Sequence, residues 1–125
     1  MSIEVLVAVA AAGALGALAR YLLGAAALSL WNGMPWHTAM VNVLGCFGFG
    51  LVFALGSSRW SPTVTTAVLA GFFGAFTTFS SFAFDVTALL REGRWLVAVA
   101  DVLLQNLLGL LAMAAGIALG GGFPR

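Results

Sequence analysis

Trp95-Leu-Val-Ala-Val-Ala-Asp-Val-Leu-Leu-Gln-Asn-Leu-Leu-Gly-Leu-Leu-Ala-Met-Ala-Ala-Gly-Ile-Ala-Leu119 decides the fold. The run is longer than the roughly 20 apolar residues that carry a helix across a bilayer, and Asp101 is its one charged residue. Arg91-Glu92-Gly93-Arg94, the tightest polar loop in the chain, stands immediately before it; Gly120 to Arg125 follows as a tail expected to fray. Upstream, a third run covers about Thr63 to Leu90. It lies behind the polar loop Ser57-Ser58-Arg59-Trp60-Ser61-Pro62, in which Pro62 suits a helix start. A second run extends from about Thr38 to Gly56, and a first from about Ile3 to Trp31 with Arg20 inside it. At about 1.5 Å per residue the first is longer than a hydrocarbon core of roughly 30 Å, so it must tilt or end early. Asn32, Gly33 and Pro35 break it, and Trp31 and Trp36 suit an interfacial belt.

Four such spans and their short connections use nearly all of the 125 residues, so 1–125 reads as a single all-α membrane domain. Composition agrees. The chain is 62% hydrophobic and 7% charged, with a mean hydropathy of +1.11. Soluble domains carry about 25% charged residues, so the solvent of this outer face must be the lipid bilayer. The expected location is the cell membrane, as a multi-pass protein (the inner membrane in a Gram-negative cell). A net charge of +1 without any lysine offers no basic field for nucleic acid. Cys46 is the only cysteine, which excludes an internal disulfide, and its apolar setting suggests packing. The N-terminal run lacks the basic start of a signal peptide and is expected to be a mature helix. Gly13, Gly16, Gly45, Gly48, Gly109 and Gly116 suit close helix contacts.

With four spans, one side of the membrane carries Arg59 and Arg125 and the other Arg91 and Arg94, two against two. The positive-inside rule then sets no orientation. Either the protein inserts both ways and pairs with its inverted copy, or counts this small carry no signal.

Charge within a span needs a partner or a purpose. Arg20 either snorkels to an interface or attracts anions at a vestibule. Asp101, about two turns into the fourth run, is interfacial or paired with an arginine. Asp85 lies near the end of the third run. Asn42, Gln105 and Asn106 are either interhelical glue or neutral donors to an anion.

The densest anomaly is Gly71-Phe-Phe-Gly-Ala-Phe-Thr-Thr-Phe-Ser-Ser-Phe82. Its glycines and hydroxyls weaken a helix, while the hydroxyls satisfy freed backbone groups, so local unwinding at mid-membrane is expected. Exposed carbonyls there suit a cation. Phe79 and Phe82, three apart, share a helix face. They are lipid-facing or packed, or they present positive ring edges to an anion.

Together these segments resemble the Fluc (CrcB) family of bacterial fluoride channels over roughly residues 10 to 116. Gly13-Ala-Leu-Gly-Ala-Leu-Ala-Arg20-Tyr-Leu-Leu-Gly24 is similar to the first-helix motif, and Pro35-Trp-His-Thr-Ala-Met-Val-Asn42-Val-Leu-Gly45 to the second-helix signature. Gly71 to Phe82 resembles the third, the most specific of the three. The resemblance implies a broken third helix, an antiparallel dual-topology homodimer and two parallel fluoride pores. By position, Phe79 and Phe82 match the pore phenylalanines and Asn42 the pore asparagine. Ser80 matches the start of a hydroxyl track, and Asn106 falls where a fourth-helix polar side chain is expected. Arg20 matches the arginine near a vestibule, and Asp85 falls on a family acidic position. Gly74 and Thr77 match the carbonyls that hold a structural sodium ion at the dimer centre. Departures are Ala83 for serine and Ala114 for threonine, which thin the hydroxyl track, and His37 where glycine is common.

The resulting expectation is passive fluoride conduction, with neutral donors and ring edges replacing water around the ion. No nucleophile–base pair is present in the sequence, so the chain is not read as an enzyme. A small multidrug-type proton-coupled transporter is the main rival. It needs a membrane-embedded carboxylate in the first helix, where this chain has only Glu4 at the edge. A non-transporting scaffold would explain the packing glycines and leave the Gly-Thr-Ser-Phe segment without a reason.

Overall fold

The computed structural model describes residues 2–29, 36–56 and 58–123. Among them the secondary structure is entirely helical: α1 (Ile3–Leu28), α2 (Trp36–Gly56), α3 (Pro62–Thr66), a π-helical stretch (Ala67–Phe73), α4 (Gly74–Phe76), α5 (Phe79–Arg91) and α6 (Trp95–Leu119). Ile3–Leu28, Trp36–Gly56, Pro62–Arg91 and Trp95–Leu119 are each long and apolar enough to span a membrane. α1 stops short of Trp31, at a cap on Ser29. The expected stop signals Asn32, Gly33 and Pro35, the Trp31 partner of Trp36, and Ser57 and Arg125 lie outside the described residues.

The helix ends follow local chemistry. Ser2 Oγ accepts from the Val5 amide at the start of α1, and Ser61 Oγ from Val64 beside Pro62. The loop at Arg91–Arg94 closes on Gly93 at φ 72°, where the Arg94 amide bonds the Leu89 carbonyl and Gly93 the Leu90 carbonyl. A left-handed residue costs glycine least, which is why so tight a turn between two spans carries one. Of the tail expected to fray, residues 120–123 are described, and this part is ordered. Gly120, Gly121 and Gly122 bond back onto α6, and the Phe123 ring meets Phe53 edge-on at 6.1 Å.

Packing is inverted relative to a soluble domain. Leu96 is 88% exposed, and many other large apolar side chains face outward, whereas Asp101, Gln105 and Thr38 are buried. An apolar exterior around a partly polar interior is stable only where the surroundings are lipid. Without a hydrophobic drive between helices, close backbone contact has to hold them. α2 and α6 make the most extensive contact. A Cβ added at Gly116 would strike the Phe47 carbonyl and the Leu51 amide, and one at Gly50 the Met113 carbonyl. α1 crosses the π-helical stretch in the same way, Gly16 against the Phe72 carbonyl and Gly71 against the Val9 carbonyl. Gly71 therefore serves packing. The helical path is lost further on, at Thr77 (φ −82°, ψ 157°) and Thr78 (φ −148°, ψ 112°), which are extended.

Candidate functional site

The two extended threonines organise the site. In a continuous helix the Thr78 amide would bond the Gly74 carbonyl; here it donates to Asn42 Oδ1 at 2.8 Å. Asn42 Nδ2 returns a bond to the Thr78 carbonyl at 3.1 Å, so one side chain satisfies both polar groups of one peptide residue. Arg20 Nε donates to the Ala75 carbonyl at 3.0 Å, taking up a second group that the interruption frees. Thr77 Oγ1 donates to the Phe73 carbonyl at 3.0 Å. Thr78 Oγ1 accepts from the Ser81 amide and so caps α5. Gly74 is exposed, and nothing stands within 4 Å of where its Cβ would be.

Asn42 has a further partner. Its Nδ2 also donates to Gln105 Oε1 at 2.8 Å, and Gln105 Nε2 donates to both Asp101 oxygens at 3.0 and 3.1 Å. Both hydrogens of the Asn42 amide are thus engaged, so in this structure Asn42 ties α2 to the extended pair and to α6. The fourth-helix amide that meets it is Gln105. Asn106, the residue singled out from the sequence, lies exposed and donates to its own helix at the Val102 carbonyl, 2.7 Å away. One residue along a helix turns the side chain by about 100°, enough to exchange the inside for the outside.

Phe79 is 78% exposed at the start of α5, and Phe82 is half-buried beside it. Their rings meet edge-on, centroids 5.5 Å apart at 61°. Ser80 is exposed next to them, its hydroxyl 3.3 Å from Thr78 Oγ1. Phe72 and Phe76 by contrast stack on one another at 5.8 Å on the other side of the extended pair.

Arg20, Asp85 and Ser80 line one cleft of about 630 Å³, together with Tyr21, Thr38 and Thr78. Asp85 accepts a 2.6 Å bond from Thr38 Oγ1, and the same oxygen lies 3.2 Å from His37 Nε2. The hydroxyl proton goes to the carboxylate, so the imidazole must be the donor to Thr38. Of the residues singled out from sequence, the structure brings Arg20, Asp85 and Ser80 to this cleft. Asn42, Gly74 and Thr77 gather at the extended pair, Phe79 and Phe82 stand beside it, and Asn106 lies apart. Thr38 and Thr78 are the groups that sequence reasoning did not assign. Of the two readings open for Gln105 the structure shows interhelical glue. Asp101, expected at an interface or against an arginine, is instead buried and bonded by Gln105. The spacing of Asp101, Gln105 and Gly109, four apart on one helix face, was the available signal.

Apolar helices around a few converging polar side chains, with no soluble portion among the described residues, define a multi-pass membrane protein. Residues 7–117 match the family described as CrcB-like protein, Camphor Resistance (CrcB), and the chain belongs to that family. It is similar to the fluoride-specific ion channel FluC of Desulforapulum autotrophicum, 48% identical over 116 residues that cover 90% of this chain and 92% of the relative. The protein of that name from Solidesulfovibrio magneticus is 46% identical over 115 residues, 90% of this chain and 92% of its own. That of Nitrosococcus oceani is 45% identical over 111 residues, 86% and 89% of the two chains.

Proposed function

We propose that this protein is a fluoride-selective channel that lets fluoride leave passively, working as an antiparallel dual-topology homodimer with two pores. The relatives named above are called fluoride-specific ion channels, and they align over nearly the whole chain. The observation that carries the reading is the outward exposure of Phe79, Ser80 and Gly74 on the single protomer. Hydroxyls and a freed carbonyl facing hydrocarbon would be costly, so a second copy is needed to cover them and complete a path.

In this reading the third helix is broken near mid-membrane at Thr77–Thr78, and α5 begins beside the path. Fluoride gives up tightly held water, so each replacement must be favourable enough to enter and weak enough to leave. Ser80 supplies a neutral O–H donor, and Phe79 and Phe82 supply positive ring edges. Phe79 packs against Phe82 at an angle yet stays 78% exposed, which leaves ring edge available to the path. Asn42 donates to the ion only by exchanging one of its two Nδ2 bonds, and otherwise acts by holding the start of α5. Asn106, on the exposed face of α6, would meet the second copy. Arg20 and Asp85 flank the cleft that serves as vestibule. The Arg20 guanidinium attracts anions, while Thr38 holds the Asp85 carboxylate by hydrogen bonding.

Gly74 and Thr77 fit a structural sodium site at the dimer centre. The Gly74 carbonyl has lost its helical donor to Asn42, Gly74 itself borders open space, and carbonyl oxygens suit hard cations. A cation held there would supply a fixed positive field between the two copies. The test is fluoride against chloride efflux from liposomes holding the purified protein, with sodium present and absent. Rapid fluoride release with chloride retained is expected. Vesicles that stay sealed to fluoride around correctly folded protein would overturn the reading.

A further inference from the structure

Asp101 is 0% exposed and sits in the second turn of α6, roughly 9 Å along the axis from Trp95. Among the described residues no ion pair reaches it, and its hydrogen-bond donor is Gln105. A carboxyl group buried at that depth without a cation is costly and calls for a purpose. The bonds around it supply one, because their direction is fixed. The Thr78 amide can only donate, so Asn42 must turn Oδ1 toward it and Nδ2 toward Gln105. Gln105 must then meet Asn42 with Oε1, which leaves its own NH₂ pointing at position 101. Only an acceptor can stand there. Turning the Gln105 amide over would set one NH₂ against another and break the link to Asn42.

We propose that Asp101 is a positioning residue for conduction: as terminal acceptor of the series Thr78–Asn42–Gln105–Asp101 it holds the extended threonines, and with them Phe79 and Ser80, in the geometry the ion path uses. This rests on the channel reading above, and the part played by Asp101 is a hydrogen bond received, not a charge felt by the ion. Asparagine at 101 still offers an acceptor oxygen to Gln105; alanine offers none and leaves a buried NH₂ unpaired.

The experiment compares the full-length wild type with D101A, D101N, Q105L and D101A/Q105L in liposomes. Hydrogen exchange of the Gly74–Ser80 segment is followed in detergent beside that of α1. D101A should cut fluoride efflux by about tenfold or more, while D101N stays within about threefold of wild type. Adding D101A to Q105L should change little further, since both remove the same link. Exchange at Gly74–Ser80 should quicken in D101A and Q105L, but not in D101N, with α1 unchanged. Wild-type efflux in D101A, a D101N defect equal to that of D101A, or additive effects of the two substitutions would overturn the proposal. If D101A does not fold, Q105L decides: unaltered exchange and efflux there would be equally fatal. Sealed wild-type vesicles would sink the channel reading, whereas the exchange arm would still judge Asp101.

Discussion

Asn42→Asp is the sharpest probe of the site, because it changes little in shape and reverses the hydrogen bonding of one atom. The carboxylate keeps the bond from the Thr78 amide to Oδ1, now 2.8 Å. It loses the two bonds that Nδ2 makes, to the Thr78 carbonyl at 3.1 Å and to Gln105 Oε1 at 2.8 Å, and sets an anion against both acceptors. Gln105 has no good reply. Turning its NH₂ toward the introduced carboxylate would bring Oε1 against the Asp101 carboxylate, which now receives both Nε2 bonds. Leaving a buried partner unsatisfied costs about 1–3 kcal/mol, so losing two such bonds should destabilise the protein by about 2–6 kcal/mol. Conduction should fall as well, since a fixed negative charge beside the path repels the ion. Thermal unfolding of the purified protein in detergent reads the first effect and fluoride efflux from liposomes the second. An N42D protein that melts and conducts like wild type would refute the bonding argument outright. One that melts early yet conducts normally would remove Asn42 from the path.

Phe79→Ile and Phe82→Ile keep apolar bulk but remove the ring edges, so fluoride efflux should drop about two- to tenfold in each, given that aromatic geometry contributes about 0.5–1.5 kcal/mol per contact; unchanged efflux would end the aromatic role. Gly116→Val places carbon against the Phe47 carbonyl and the Leu51 amide, backbone that cannot swing aside, and should lower stability by about 1–3 kcal/mol in denaturant titration of the detergent-solubilised protein. Adding two lysines before α1 should trap one orientation, and efflux should vanish until a copy biased the other way is co-expressed; full activity from the single-orientation protein would remove the antiparallel dimer.

Much of the fold was legible because the spans are coded by apolar length alone. Trp95–Leu119 reads directly from the sequence, and the third span misses by one residue at either end. The first differs because Ser29 caps α1 before the apolar run ends. What the sequence blurred is which anomaly in Gly71–Phe82 does what. Glycines suggest a weak helix, yet Gly71 is taken up by contact with α1, and the extended residues are threonines whose backbone Asn42 satisfies. That choice belongs to a residue thirty-six positions away, so no local pattern contains it. The same reason left Gln105 and Asn106 undivided. Side by side in sequence, Gln105 and Asn106 are chemically alike, and only the face of α6 turned toward α2 separates them.

The polar series from Thr78 to Asp101 also dictates an order of assembly. Chains emerge N-terminal end first, at about 5–20 residues per second, so α1, α2 and the third span enter the bilayer before the helix bearing Gln105 and Asp101. Until that helix arrives, one Asn42 hydrogen has no acceptor from α6, and the junction between the two halves of the third span lacks its last fastening. Correct insertion is thus certified only once α6 is in place, and a chain stalled before it remains chemically recognisable as unfinished.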